Sequence, residues 1–152
     1  MNFTPRRADD TATMGKANYP SVKKYMARDE ITLKPDVTIN EAIEIILSKK
    51  LTGAPVLDDE RNIIGMITEK DCLRIIIDSA YNNLPYNYKK VSDYMSPVVK
   101  TVSIDSNILE VANEFLTTHF RKFPVVHNGK LVGQVSRRDI LKAIRELKAT
   151  TW

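Results

Sequence analysis

The sequence predicts a mixed α/β (α+β) fold built from two tandem β-α-β-β-α repeats, and three observations carry that prediction. A seven-residue motif occurs twice, apolar and capping positions recur in one order around it, and short strand-like runs alternate with helical stripes in both halves. The motif is G-x-h-[ST]-x-x-D, read as Gly65-Met66-Ile67-Thr68-Glu69-Lys70-Asp71 and again as Gly133-Gln134-Val135-Ser136-Arg137-Arg138-Asp139. Upstream, Val22, Tyr25 and Met26 recur as Val91, Tyr94 and Met95. Thr32, Asp36, Ile39, Glu41 and Leu47 recur as Thr101, Asp105, Ile108, Glu110 and Leu116, and Pro55-Val56 as Pro124-Val125. Matching order in two halves indicates duplication with pseudo-two-fold symmetry.

The elements follow in order. Residues 1–20 read as a polar tail with Pro5, Arg6-Arg7, Asp9-Asp10 and Gly15 and no hydrophobic periodicity. Such a stretch has little apolar surface to offset its ordering entropy, so it is expected to be dispensable for fold and binding. The globular part is expected from about Val22, with repeat 1 over 21–80, a linker over 81–90 and repeat 2 over 91–148. Each repeat opens on a short strand (Ile31 to Leu33; Thr101 to Val102) and continues into a helix with a cap pair, Thr38 with Glu41 and Asn107 with Glu110. The apolar positions Ile39, Ala42, Ile43, Ile46, Leu47 and Ile108, Val111, Ala112, Phe115, Leu116 keep the stripe of a core-facing helix. Two strands come next, Ala54 to Leu57 with Ile63 to Thr68, and Phe123 to Val126 with Leu131 to Ser136. Polar turns join them, Asp58 to Asn62 and His127 to Lys130. A second helix follows each motif, carrying Cys72-Leu73-Ile75-Ile76 and Ile140-Leu141-Ala143-Ile144. The linker, rich in Asn, Tyr and Lys with Pro85, suits an ordered connection. Leu73-Arg74-Ile75-Ile76-Ile77 is apolar over more of its helix than one core can cover, which predicts a homodimer.

Composition narrows the function. With 152 residues the chain fits one domain or two small halves, and buries roughly two-thirds of its unfolded surface. The single cysteine, Cys72, reads as a small buried hydrophobe in a reducing compartment. The polar N-terminus and the lack of any long apolar run predict a cytoplasmic protein with neither a secretory signal nor a membrane span. A net charge of +4 and a pI of about 9.1 permit contact with anions. The basic pairs Lys23-Lys24, Lys49-Lys50, Lys89-Lys90 and Arg137-Arg138 are dispersed among acidic residues, which disfavours a nucleic-acid partner. Catalysis is disfavoured by inventory. The histidines are His119 and His127, no metal-ligand cluster is apparent, and neither G-x-S-x-G nor G-x-x-x-x-G-K-[ST] occurs. The expectation is a non-enzyme without a catalytic cofactor.

The twice-used motif supports two compatible readings. Thr68 and Ser136 fall where a strand gives way to a helix, among unpaired N–H groups that attract an anion such as phosphate. Asp71 and Asp139, three residues on, carry carboxylates that can accept both hydrogen bonds of a ribose 2′,3′-diol. The same residues also fit the capping box [ST]-x-x-[DE], in which they serve only their own helix. The glycine three residues before each hydroxyl weakens a strand unless something must approach its backbone closely.

Two β-α-β-β-α units, each with h-h-G-x-h-[ST]-x-x-D and an h-P-V-h strand (Ala54-Pro55-Val56-Leu57; Phe123-Pro124-Val125-Val126), resemble the cystathionine-β-synthase (CBS) domain pair, or Bateman module. The likeness runs from about Ser21 to Leu147. It implies a regulatory, non-catalytic module that binds AMP, ADP, ATP or S-adenosylmethionine in clefts between the repeats. It also implies homodimers joined through helices, and, for a free-standing module, output through assembly or an unidentified regulated protein. Carried over residue by residue, the resemblance implies two clefts. One combines Thr68, Lys70 and Asp71 with Met95, Val99, Lys100 and Phe120-Arg121-Lys122. The other combines Ser136, Arg138 and Asp139 with Met26, Glu30, Ile31 and Leu51-Thr52-Gly53. Arg121 and Lys122 stand near the phosphate end expected of the first cleft, whereas the second must rely on Arg137 or Arg138. A scaffold that has lost ligand binding is the remaining alternative.

Overall fold

The computed structural model describes residues 19–151 except Asp29, Asn87 and Val98. Residues 1–18 of the expected tail lie outside the described residues. Its last two positions do not behave as a tail. Tyr19 packs on a hydrophobic core and the carbonyl of Pro20 accepts from Ile108 N–H at 3.0 Å, so the fold is under way before Val22.

The described chain runs through a 3-10 turn (Val22–Lys24), α1 (Ile39–Ser48), β1 (Gly53–Leu57), β2 (Ile63–Thr68), α2 (Glu69–Tyr81), α3 (Val91–Tyr94), β3 (Val102–Ser103), α4 (Ile108–Thr117), β4 (Lys122–His127), β5 (Lys130–Ser136) and α5 (Arg137–Thr151). It divides into two compact units that do not coincide with the sequence halves. Among the described residues, unit I holds those from Tyr19 to Arg28, Thr101–Val126 and those from Val132 on. Unit II holds the described residues between 30 and 100 together with His127–Leu131. The sequence halves therefore exchange their leading segments, and the cores show it. Val22 and Met26 are buried with Ile108, Phe115, Phe123, Val135 and Ile140 in unit I, whereas Val91 is buried with Ile39, Ile46, Val56, Ile67 and Ile75 in unit II. Each such aliphatic side chain removed from water stabilises by about 1.5 to 3 kcal/mol.

Within each unit the same backbone pairings recur. In unit II, Leu33 forms a parallel bridge to Val56, Thr38 bridges Lys90, and Met66 bridges Ser96. In unit I, β3 pairs in parallel with β4 through Val102 and Val125, Asn107 bridges Ser21, and Gln134 bridges Ala27. The strand expected over Ile31 to Leu33 thus contracts to one bridge, with Leu33 N–H donating to Pro55 O at 2.9 Å and Leu57 N–H to Leu33 O at 2.9 Å. β1 and β2 run antiparallel from Gly53 opposite Thr68 to Leu57 opposite Ile63, with an irregularity between Val56 and Leu57.

α1 has the full capping box expected of Thr38 and Glu41. α4 has half of it, Asn107 Oδ1 accepting from Glu110 N–H at 2.9 Å. Two positions expected in the core are outside it. Leu47 and Leu116 are 65% and 84% exposed, because both fall in the last turn of their helices, where the stripe has rotated past the core. α2 is apolar on two sides. Cys72 and Ile75 are buried, while Leu73, Ile77 and Tyr81 form an exposed stripe at i, i+4 and i+8.

Candidate functional sites at two helix starts

Unit II places Thr68 at the end of β2 in extended conformation and Asp71 in the first turn of α2. The helix begins before Asp71 and not after it, which puts the carboxylate in the first turn, where Glu69 N–H already donates to Thr52 O and Asp71 N–H to Thr68 Oγ1. Asp71 N–H donates to Thr68 Oγ1 at 3.2 Å, while Asp71 Oδ2 accepts from Thr68 N–H and from the Thr68 hydroxyl, both at 2.9 Å. Asp71 Oδ1 faces the Arg74 guanidinium at 3.3 Å. Unit I repeats the arrangement at β5 and α5. Asp139 N–H donates to Ser136 Oγ at 3.1 Å and Ser136 N–H to Asp139 Oδ2 at 2.8 Å. Both motifs are therefore capping boxes, and all four side-chain bearing residues remain half-buried.

The glycine of each motif is explained by the chain itself. A Cβ on Gly65 would run into the sulfur of Met95 and lie 3.0 Å from the carbonyl of Ser96. On Gly133 it would lie 2.7 Å from the sulfur of Met26 and 2.8 Å from the carbonyl of Ala27. The close approach that the sequence demanded is thus made by a protein segment that bridges to the strand, with Met66 N–H to Ser96 O at 3.0 Å and Gln134 N–H to Ala27 O at 2.9 Å. Met26, expected on a ligand wall, is a buried side chain of the unit I core, and Met95 is half-buried against the core of unit II.

The other expected residues fall as follows. Beside Thr68 stand Thr52 and Gly53: Gly53 pairs with Thr68, and Glu69 N–H donates to Thr52 O at 3.0 Å. Beside Ser136 stand Phe120 and Arg121: Arg137 N–H donates to Arg121 O at 3.2 Å and Arg137 Nε to Phe120 O at 3.1 Å. Within a unit, each box thus has as its neighbour the segment that the resemblance assigned to the other cleft. Arg137 is partly committed to holding that segment, whereas Arg138, Lys70, Lys100, Arg121 and Lys122 project exposed. Phe120 is 44% exposed and stacks on His119 with ring centroids 4.9 Å apart, and edge-on to Phe123 at 6.1 Å. Leu51, Glu30, Ile31 and Val99 are half-buried.

Cys72, one residue beyond Asp71, is buried, and its thiol is pushed above the usual range first by burial and then by the charges of Asp71 and Glu69. That is an inert core thiol and not a nucleophile. Among the described residues no group of three His, Cys, Asp or Glu is placed to hold a metal ion. No helix among them is long and apolar enough to cross a membrane. An apolar surface cavity of about 430 Å³ opens at the far end of α2 from Asp71, lined by Ile76, Ser79, Ala80, Leu84, Pro85 and Tyr86 among others. It offers no charge to a phosphate.

Two repeats that each close a strand-turn-helix with a hydroxyl and a carboxylate three residues apart define a paired-repeat module in which one helix start is used twice. Residues 22–78 and 91–146 each match the CBS domain, and the chain belongs to that family. An uncharacterized protein of Methanocaldococcus jannaschii, MJ1225, is 34% identical over 123 residues, spanning 81% of this chain and 42% of that one. The chloroplastic CBS domain-containing protein CBSX1 of Arabidopsis thaliana is 27% identical over 154 residues, spanning 84% and 65% respectively. This chain accordingly spans less than two-thirds of the length of these relatives. Among solved structures, CBSX2 in complex with AMP superposes with a TM-score of 0.72 at 30% identity, covering 84% of this chain and 98% of that one.

Proposed function

We propose that this chain is a regulatory module and not an enzyme, which binds an adenosine-containing ligand through the helix starts at Asp71 and Asp139. The observation that carries the reading is the pair of half-buried carboxylates, each fixed in the first turn of a helix by its own capping box, in a chain 30% identical to a CBS-pair protein crystallised with AMP. Capping holds Oδ2 and orients the group. A ribose diol would then donate to oxygen lone pairs that the cap leaves over, and the positive end of each helix dipole would favour a nearby phosphate.

AMP is the ligand that the relative supports best, and ADP, ATP and S-adenosylmethionine remain within the same chemistry. Lys70, Arg138, Lys100, Arg121 and Lys122 are proposed as phosphate-side contacts because they are exposed cations. Phe120, Val99, Leu51 and Ile31 are proposed as apolar wall positions. The module is proposed to act as a homodimer through the exposed Leu73, Ile77 and Tyr81 face of α2, signalling to a regulated protein or through assembly, in the cytoplasm. A monomeric mass by light scattering would refute the dimer.

Calorimetric titration tests the ligand role. Asp71→Ala or Asp139→Ala is expected to remove charge-assisted hydrogen bonds of roughly 1.5 to 3 kcal/mol, about tenfold to a hundredfold in affinity at the altered site. Wild type is expected to prefer AMP to 2′,3′-dideoxy-AMP. Equal affinity for the two nucleotides would return both motifs to helix caps and the module to a scaffold.

A further inference from the structure

The two carboxylates do not present the same lone pairs. Asp71 Oδ2 already accepts two hydrogen bonds from Thr68, and its Oδ1 faces Arg74 Nη1 at 3.3 Å. At Asp139, Oδ2 accepts from Ser136 N–H, and among the described residues Oδ1 has no such partner. The position one helical turn on differs accordingly: Arg74 follows Asp71 by three residues, and Lys142 follows Asp139 by three. A guanidinium with several donors in a planar fork competes for a carboxylate more effectively than a strongly hydrated ammonium, and Lys142 is exposed without engaging Asp139. The Arg74 side chain is 68% exposed and that of Asp71 12% exposed, so the arginine can leave for solvent while the carboxylate stays in place.

We propose that Arg74 is a specificity-determining residue that competes with a ligand diol for Asp71, making the Asp71 site the weaker of the two. The inference rests on the ribose-binding reading above. It predicts unequal sites for any ligand that presents a vicinal diol, and a gap between them that narrows as salt screens the exposed pair.

Adenosine is the probe, because it offers the diol without a phosphate that Arg74 could attract. In an Asp139→Ala background, which leaves the Asp71 site to be read, Arg74→Met keeps the apolar stem and removes the charge. Calorimetry is expected to show adenosine binding tightened by about two- to fivefold, with a smaller gain at high salt. The reciprocal change, Lys142→Arg in an Asp71→Ala background, is expected to weaken adenosine binding by a similar factor. Unchanged or weaker adenosine binding on Arg74→Met overturns the competition, as does a loss of AMP affinity with adenosine unmoved, which would make Arg74 a phosphate contact. Failure of the underlying reading has its own signature: neither Asp71→Ala nor Asp139→Ala, made singly in the wild-type chain, alters adenosine affinity. Melting curves on each variant keep a folding defect from being read as either result.

Discussion

Phe123 in unit I and Ala54 in unit II occupy the same position of the strand that carries Pro-Val. Phe123 is fully buried and stacks on Phe115 with ring centroids 4.3 Å apart, while Ala54 is equally buried and the position corresponding to Phe115 is held by Ile46. Despite that difference, the parallel pairing of Leu33 with Val56 and of Val102 with Val125, and the bridges from Met66 and Gln134 to the leading segments, are the same. The backbone of each unit is therefore set by caps, turns and a tight glycine, while core volume is redistributed among side chains around it.

The sharpest way to test this is to empty the aromatic core. Phe123→Ala should destabilise the protein by about 3 to 5 kcal/mol in denaturant unfolding, whereas Ile46→Val in the aliphatic core should cost about 0.5 to 1.5 kcal/mol. Similar losses from both would mean that the aromatic pair adds nothing to unit I. The glycines come next. Gly133→Ala should cost about 1 to 3 kcal/mol, since its new methyl meets the Ala27 carbonyl, which backbone pairing holds in place. Gly65→Ala meets the Met95 side chain well before the Ser96 carbonyl and should be largely relieved by Met95→Ala in a double-mutant cycle, whereas Gly133→Ala meets the Met26 sulfur and the Ala27 carbonyl almost together, so Met26→Ala should relieve it only in part. Equal relief in both cycles would erase the distinction between the two units.

Smaller effects separate the helix starts. Asp71→Ala and Asp139→Ala should each lower stability by about 1 kcal/mol through loss of the cap, whatever happens to ligand affinity. The Cys72 thiol should react with a disulfide reagent at about pH 8 far more slowly in the folded protein than after unfolding. Its raised pKa also fixes a sign. The folded state keeps its proton longer, so this group leaves stability constant below the ordinary thiol range and lowers it as pH rises above that range. A folded-state rate equal to the unfolded one would place the thiol at the surface.

Much of this was legible in the sequence because local signals agree with the fold. Thr38-x-x-Glu41, Thr68-x-x-Asp71 and Ser136-x-x-Asp139 all form the caps their spacing predicts, and Ile63–Thr68 is a strand over the residues that its pattern marked. What escaped detection depends on distant partners. The 3-10 turn at Val22–Lys24 and the single turn of α3 are too short for a 3.6-residue period to register. Leu33 looks like part of a strand but finds a partner at one residue. The glycines showed that something approaches β2 and β5, but their own sequence could not say that Met95 and Met26 do so. The pairing of Arg74 with Asp71 was likewise hidden, although an arginine three residues after an acid on a helix is a visible signal for it.

The exchange of leading segments has a consequence for how the chain is made. Ser21 Oγ donates to the carbonyl of Ile104 across 83 residues of sequence, and Val22 and Met26 fill a core whose other buried members lie beyond residue 101. During synthesis those two apolar side chains emerge early and must wait, while most of unit II, whose partners are nearer in sequence, has what it needs to collapse first. Loop closure over so long a span is slow, and it falls to α5 to end the wait. A gene cut within the linker at 81–90, the natural boundary by sequence, would strand Val22 and Met26 on one fragment and their core on the other.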